Sequence, residues 1–162
     1  MSTRRETDTF EFDPAQTERV AGYLHHLTEA GQGWINLMPG LEEEDDGRTT
    51  MAPGVFALFT ARQPPITMGT LMPPRPNRRE YEGVTIGLLH PTGSKAAQRL
   101  ADGGVALPDG WRVRQDHARR GLVVLARHGE SEAAVLSWTL QAGTVLCRKE
   151  MTGQWQAVVY LP

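Results

Sequence analysis

The sequence predicts an α+β fold arranged as a two-layer sandwich, and three observations predict it. Two segments carry apolar residues at helical spacing behind good capping residues. Short alternating runs bounded by Gly and Pro separate them. After residue 82 the elements follow the order β-α-β-β-α-β. At 162 residues the chain fits a single domain. That domain is expected over residues 13–162, with a helix and hairpin portion at 13–80 and the βαββαβ portion at 83–162. Residues 1–12 are polar and aperiodic, so a flexible N-terminus is expected there.

The first helix is expected at 14–30. Asp13 is placed as N-cap, Pro14 as the first helical residue and Gln16 as the third, followed by Val20, Leu24 and Leu27 on one face and Gly31 as the left-handed stop. Gly33 to Met38 is a short apolar run ended by Pro39 and predicts a strand or an extended segment packed on the core. Five adjacent carboxylates within Leu41 to Arg48 cannot be buried together and predict a solvated loop. Val55 to Ala61 and Ile66 to Met72 predict two strands joined by Arg62-Gln63-Pro64-Pro65, and the Pro- and Arg-rich stretch 73–79 breaks structure again.

In the second half, Val84 to His90 predicts a strand and Ser94 to Ala101 a helix stopped by Gly103-Gly104. Strands at Trp111 to Asp116 and Leu122 to Arg127 flank a polar turn at 117–121. Glu130-Ser131-Glu132 opens an amphipathic helix with a Val135, Trp138, Ala142, Val145 stripe, and Trp155 to Leu161 is the last strand. This order is similar to the ferredoxin-like pattern, a four-stranded antiparallel sheet with two helices on one face. The N-terminal helix and further strands would then extend or cap that sheet. A fold of this kind hosts many unrelated functions, so it predicts where loops go and not what they do.

Composition narrows the class. A hydrophobic fraction of 40% with 22% charged residues excludes wholesale disorder. No run reaches the roughly 18 apolar residues of a membrane span, and the first ten residues lack the apolar middle of a signal peptide, so a cytoplasmic protein with no membrane partner is expected. Cys147 is the only cysteine and can form neither an internal disulfide nor a structural thiolate zinc site. Net charge is −2, and neither half of the chain is a polycation, so nucleic acid is not an expected partner. Only Lys95 and Lys149 among the 17 basic residues are lysines, a bias expected from codon usage in a GC-rich bacterial genome.

Four strings invite a chemical reading. Arg127-His128-Gly129-Glu130 resembles the signature of the histidine phosphatase and phosphoglycerate mutase superfamily, in which His128 would be the phosphorylated nucleophile and Arg127 a phosphate clamp. In that family the motif follows the first strand of a longer domain and a second histidine lies downstream. Here 34 residues follow His128 and none is histidine. The expectation is instead a strand end, a turn at Gly129 and a helix cap from Ser131 or Glu130. Gly87 to Lys95 resembles a P-loop but departs from its glycine spacing, which leaves only helix N-terminal N–H groups for an anion. Glu42, Glu44 and Asp46 alternate as in a calcium loop, yet the twelfth position is Pro53. His25 and His26 are adjacent on a helix and point apart, so no metal and no cofactor is expected. Cys147 is expected as a half-buried, inert thiol.

Topology supplies the remaining candidate site. In a βαββαβ sheet, the first strand's exit, the turn between strands two and three, and the second helix's exit all reach one edge. That edge would gather His90, Thr92, Ser94 and Lys95 with His117, Arg119 and Arg120, and with Arg148 and Lys149. It is expected to be cationic and suited to phosphate or carboxylate. Arg75, Arg78 and Arg79 would lie at the opposite end. Two functional classes follow. One is a noncatalytic binding or protein-interaction module, self-associating as a homodimer through a sheet edge or face, with a small anionic ligand or an acidic protein as partner. The other is a small enzyme acting on a phosphorylated or carboxylated substrate at the His90, His117, Arg119 and Arg120 edge.

Overall fold

A computed structural model describes residues 6–42, 66–78 and 80–162 of the chain. In chain order the elements are β1 (Thr7–Phe12), α1 (Glu18–Ala30), β2 (Trp34–Leu41), β3 (Met68–Met72), β4 (Thr85–Leu89), α2 (Ala96–Asp102), β5 (Arg112–His117), β6 (Gly121–Leu125), α3 (Glu132–Leu146) and β7 (Met151–Tyr160). The strand expected at Val55 to Ala61, its Arg62 to Pro65 turn and the acidic run beyond Glu42 lie outside the described residues.

The seven strands form one antiparallel sheet in the order β1-β7-β2-β3-β4-β6-β5. The α+β class holds, while the contiguous ferredoxin-like unit does not form. β4, β6 and β5 are neighbours as that pattern requires, but β7 pairs with β1 and β2 and is separated from β4 by β2 and β3. β2 and β3 are therefore inserted within the sheet and β1 is added at its β7 edge, so no separate four-stranded unit remains to be extended or capped. The register explains the preference. Val159, Ile35, Leu71, Ile86 and Val124 form one continuous row across five strands, and Ala157, Leu37, Gly69, Leu88 and Leu122 form the next. Sliding any strand by one residue would turn its half of these rows to the other face.

All three helices cover that face. α3 is central, touching β3 and both α1 and α2, so eight of its residues are buried and its burial runs most of the way round. The expected stripe is therefore too narrow: Leu140 and Gly143 are buried, whereas Val145 is exposed. Thr139 tolerates burial because its hydroxyl donates to Val135 O at 2.7 Å, and its methyl group faces Gly69 of β3. Gly143 allows an equally close approach, since a Cβ there would stand 2.8 Å from the buried ring of Trp155.

Three boundaries differ from expectation for identifiable reasons. Thr7–Phe12 is an edge strand and not a frayed end. Phe10 stacks on Tyr23 of α1, Arg19 lies 3.8 Å above the Phe10 ring, and Asp8 accepts from Arg19 at 2.9 Å. α1 starts at Glu18 because Asp13 accepts from Ala15 N in a turn that redirects the chain out of β1. Its C-terminus is as expected, with Gly31 at φ 66° and its N–H on Leu27 O. β2 runs through Pro39, which pairs opposite Trp155 at a register shift and lies beyond the part of β2 that pairs with β3. A missing N–H is tolerated where only one neighbour needs hydrogen bonds.

Candidate functional site

The β4 to β6 register puts Leu88 opposite Leu122, so the exit of β4 lies beside the β5–β6 turn. Gly121 closes that turn at φ 82°, where any Cβ would collide with the Leu88 carbonyl. The structure thus brings His90, Thr92, Ser94 and Lys95 close to His117, Arg119 and Arg120. It does not bring Arg148 and Lys149 to them. Those residues precede β7, which is three strand spacings from β4, about 14 Å at the usual inter-strand distance.

The chemistry of this edge is more self-contained than its sequence suggests. The first N–H groups of α2 are already occupied: Asp116 of β5 accepts from Ala96 N at 3.0 Å and from Ala97 N at 3.1 Å. A protein carboxylate therefore takes the position an external anion would seek. Lys95, the residue before the helix, is in the left-handed region at φ 63° and offers no side-chain cap, so α2 relies on Asp116.

His90 is 3% exposed. Its Nδ1 accepts from Thr92 Oγ1 at 2.9 Å and Thr92 N at 3.3 Å, which puts the proton on Nε2, an atom with no partner among the described residues. Burial lowers its pKa, opposed by the charge of Asp116 and reinforced by Arg99, so the ring is neutral at neutral pH. His117 Nδ1 likewise serves the backbone, accepting from Arg119 N at 3.1 Å and Arg120 N at 3.3 Å. The Arg119 and Arg120 side chains are exposed, as are Ser94 and Lys95.

Around Arg127-His128-Gly129-Glu130 the geometry is that of a helix entry. Ser131 accepts from Ala134 N at 3.1 Å as the N-cap, and Gly129 turns the chain at φ 77°. Arg127 pairs with Glu130 at 3.5 Å, and Glu130 also accepts from Trp111 Nε1 at 3.0 Å. His128 is exposed, with Nδ1 3.4 Å from Glu82 O. On α1, His25 Nδ1 is 3.0 Å from Glu132, which with Glu29 raises the histidine's pKa, while Cys147 is half-buried with its thiol 3.6 Å from Lys149 O.

The feature least visible in the sequence is the second face of the sheet. Among the described residues no helix covers it. Its central row is Val158, Asn36, Thr70, Gly87 and Val123. One flanking row contains Tyr160, Trp34, Met72, Thr85 and Leu125, and the other Gln156, Met38, Met68 and Leu89. None of these positions carries a charged side chain or a histidine. Trp34 and Tyr160 stack at 4.6 Å, and Thr70 donates to Asn36 Oδ1 at 3.0 Å. Among the described residues a Cβ at Gly87 would meet only Thr70 O, at 4.0 Å, while Asn36, Val158 and Leu125 of the same face are buried. The available sequence signal is that β3 and β4 are uncharged on both alternating faces, which fits strands with contacts on each side.

Comparison with protein families, with curated proteins and with solved structures finds no match for this chain.

Proposed function

We propose that this protein is a noncatalytic interaction module that self-associates through the helix-free face of its sheet. The observation that carries this reading is the uncharged five-strand centre of that face, with Gly87 in its middle row. Glycine inside a strand weakens it, and often marks a place where another backbone or ligand approaches closely. The five central strands put no charge on this face, and Glu11 of β1 and Arg112 of β5 lie on it only at the two edges, so little charge is desolvated when two central patches meet. Five strands at about 4.8 Å spacing and about 17 Å of strand length give a patch on the order of 400 Å². That is a patch size typical of functional surfaces, and about half of what each partner gives to a standard interface, which supports a weak, reversible homodimer.

The enzyme reading is less well supported, because the buried, neutral His90 is bonded to its own loop and Asp116 is committed to α2. Sedimentation of the wild-type chain and of Gly87→Lys tests the proposal. Among the described residues only Thr70 O, at 4.0 Å, stands near a Cβ at Gly87, so the lysine displaces no described side chain. A concentration-dependent dimer that becomes monomeric in Gly87→Lys is expected. A wild-type monomer at every concentration overturns the proposal, as does a dimer indifferent to the substitution. If Gly87→Lys lowers the melting temperature of a monomer, the chain itself covers this face.

A further inference from the structure

At the sheet end away from the β4–α2 loop, the 73–82 connection meets the start of β5 and the end of β6. Glu82 is the hub, with its side chain 12% exposed. Its Oε1 lies 3.3 Å from Arg75, 3.1 Å from Arg78 and 3.9 Å from Arg114. Arg112 projects from the same edge strand, exposed and in no ion pair among the described residues. Three guanidinium groups therefore border one carboxylate, and a fourth, Arg112, lines the cavity beside them. Burial would raise the Glu82 pKa, but hydrogen bonds from Arg78 and Arg75 outweigh it and hold the group below the usual range, so it supplies one full negative charge.

One carboxylate is too little for this cluster. Each guanidinium has five donors, and a single oxygen engages only one from each neighbour. The cluster therefore keeps a surplus of positive charge and of donors, which is the requirement of a multiply charged oxyanion and exceeds that of a single carboxylate. Arg78, Glu82, Arg112 and Arg114 border a cavity of about 420 Å³ with Val113 and Leu125 in its lining. That volume is in the range of small-molecule pockets. Tyr81 also lines it, 64% exposed, with its hydroxyl 3.3 Å from Asn77 O, so an aromatic ring is held at the mouth.

We propose that this corner binds a phosphorylated small molecule, with Arg78, Arg112 and Arg114 engaging the phosphate and Tyr81 packing on the rest of the ligand. The site is separate from the cationic edge at the β4–α2 loop, and it does not depend on self-association. A discrete ligand fits because this corner's surplus charge is local, on a chain whose net charge is −2. An extended polyanion would need a basic stripe.

Calorimetric titration of the full chain at low salt with inorganic phosphate, pyrophosphate, AMP, adenosine and sulfate tests it. Saturable binding of AMP is expected, tighter than that of phosphate, with none of adenosine. Arg112→Gln and Arg114→Gln should each weaken binding by about tenfold or more, the effect of one lost charge-assisted hydrogen bond. Neither should alter the melting temperature. Tyr81→Ala should weaken AMP and leave phosphate unchanged. The proposal is overturned if no phosphate compound saturates at millimolar concentration, if sulfate binds as well as phosphate, or if both arginine variants bind like wild type. Affinity for single-stranded RNA that rises with length would replace the small-molecule reading with a nucleic-acid one.

Discussion

Replacing Asp116 with alanine isolates the contact that organises the β4–α2 edge. Its carboxylate accepts from two consecutive backbone amides, at 3.0 Å from Ala96 N and 3.1 Å from Ala97 N. α2 has only seven residues and its preceding residue, Lys95, provides no cap, so nothing local replaces the lost acceptors. Loss of an N-cap costs about 0.5–2 kcal/mol, and the favourable charge at a helix N-terminus a further ~0.3–1 kcal/mol. The second stranded amide adds on the order of 1 kcal/mol. Asp116→Ala should therefore destabilise the protein by about 2–4 kcal/mol. At about 2–4 °C per kcal/mol for a domain of this size, the melting temperature should fall by roughly 4–16 °C. Asp116→Asn keeps one acceptor oxygen and should cost about 1 kcal/mol. Urea unfolding measures both, and amide exchange at Ala96 and Ala97 should accelerate in the alanine variant. A loss below about 0.5 kcal/mol in both variants, the level of an ordinary surface change, would refute the idea that Asp116 holds α2 in place.

Further outcomes follow from the same geometry. His90 has a folded pKa depressed below about 6.5, so its contribution is complete above that pH and is lost as pH falls toward the folded value, by at most about 1.4 kcal/mol per pH unit. The exposed His25 has the opposite sign, its raised pKa adding stability at low pH, so the difference between wild type and His90→Gln in urea unfolding at several pH values isolates the buried ring. Gly143→Ala sets a helix-propensity gain of about 1 kcal/mol against roughly 1–3 kcal/mol of overpacking, because its Cβ would stand 2.8 Å from Trp155. A net loss is expected by thermal melting, whereas Gly22→Ala in α1, where a Cβ meets nothing within 4 Å, should gain about 1 kcal/mol. Gly87→Val should stabilise the subunit by about 1 kcal/mol in urea yet weaken its self-association in sedimentation. Unchanged association would count against the sheet face as interface.

What could be read in advance was local. Val20, Leu24 and Leu27 with Gly31 define the buried face and end of α1, and Ser131 caps α3, because a few neighbouring residues determine each. The proximity of the β4 exit to the β5–β6 turn was also legible, since it needs only β4 and β6 to be neighbours. Sheet order was not. Placing β2 and β3 between β4 and β7 depends on matching apolar rows across residues more than 100 positions apart, such as Ile35 and Val159. The α3 burial was obscured for a related reason: a helix with neighbours on both sides loses the stripe that marks a surface helix. Asp116 caps a helix 20 residues earlier in the chain, and no spacing rule anticipates a cap supplied by another strand. Glu82 among Arg75, Arg78 and Arg114 was equally hidden, because Arg114 reaches it from a different element.

Two strand glycines on opposite faces of the sheet separate the requirements of folding from those of interaction. Gly69 of β3 opposes Leu37 and Leu88 on the helix-covered face, where a Cβ would press to 3.3 Å on the Thr139 methyl group, so glycine there lets α3 settle onto the sheet. The weakening that glycine brings to a strand is offset by close packing within the same chain. Gly87 of β4 opposes Thr70 and Val123 on the other face, and its nearest contact for a Cβ is a backbone oxygen at 4.0 Å. Among the described residues no close packing accompanies it there. A β-branched residue at that position would strengthen the strand and fill the space, so the fold gains nothing from glycine at 87. Among the described residues nothing fills the uncharged dent between Thr70, Leu89 and Val123, and this asymmetry between the two glycines is the physical basis of the proposal that something outside them, a second copy of the chain, enters it.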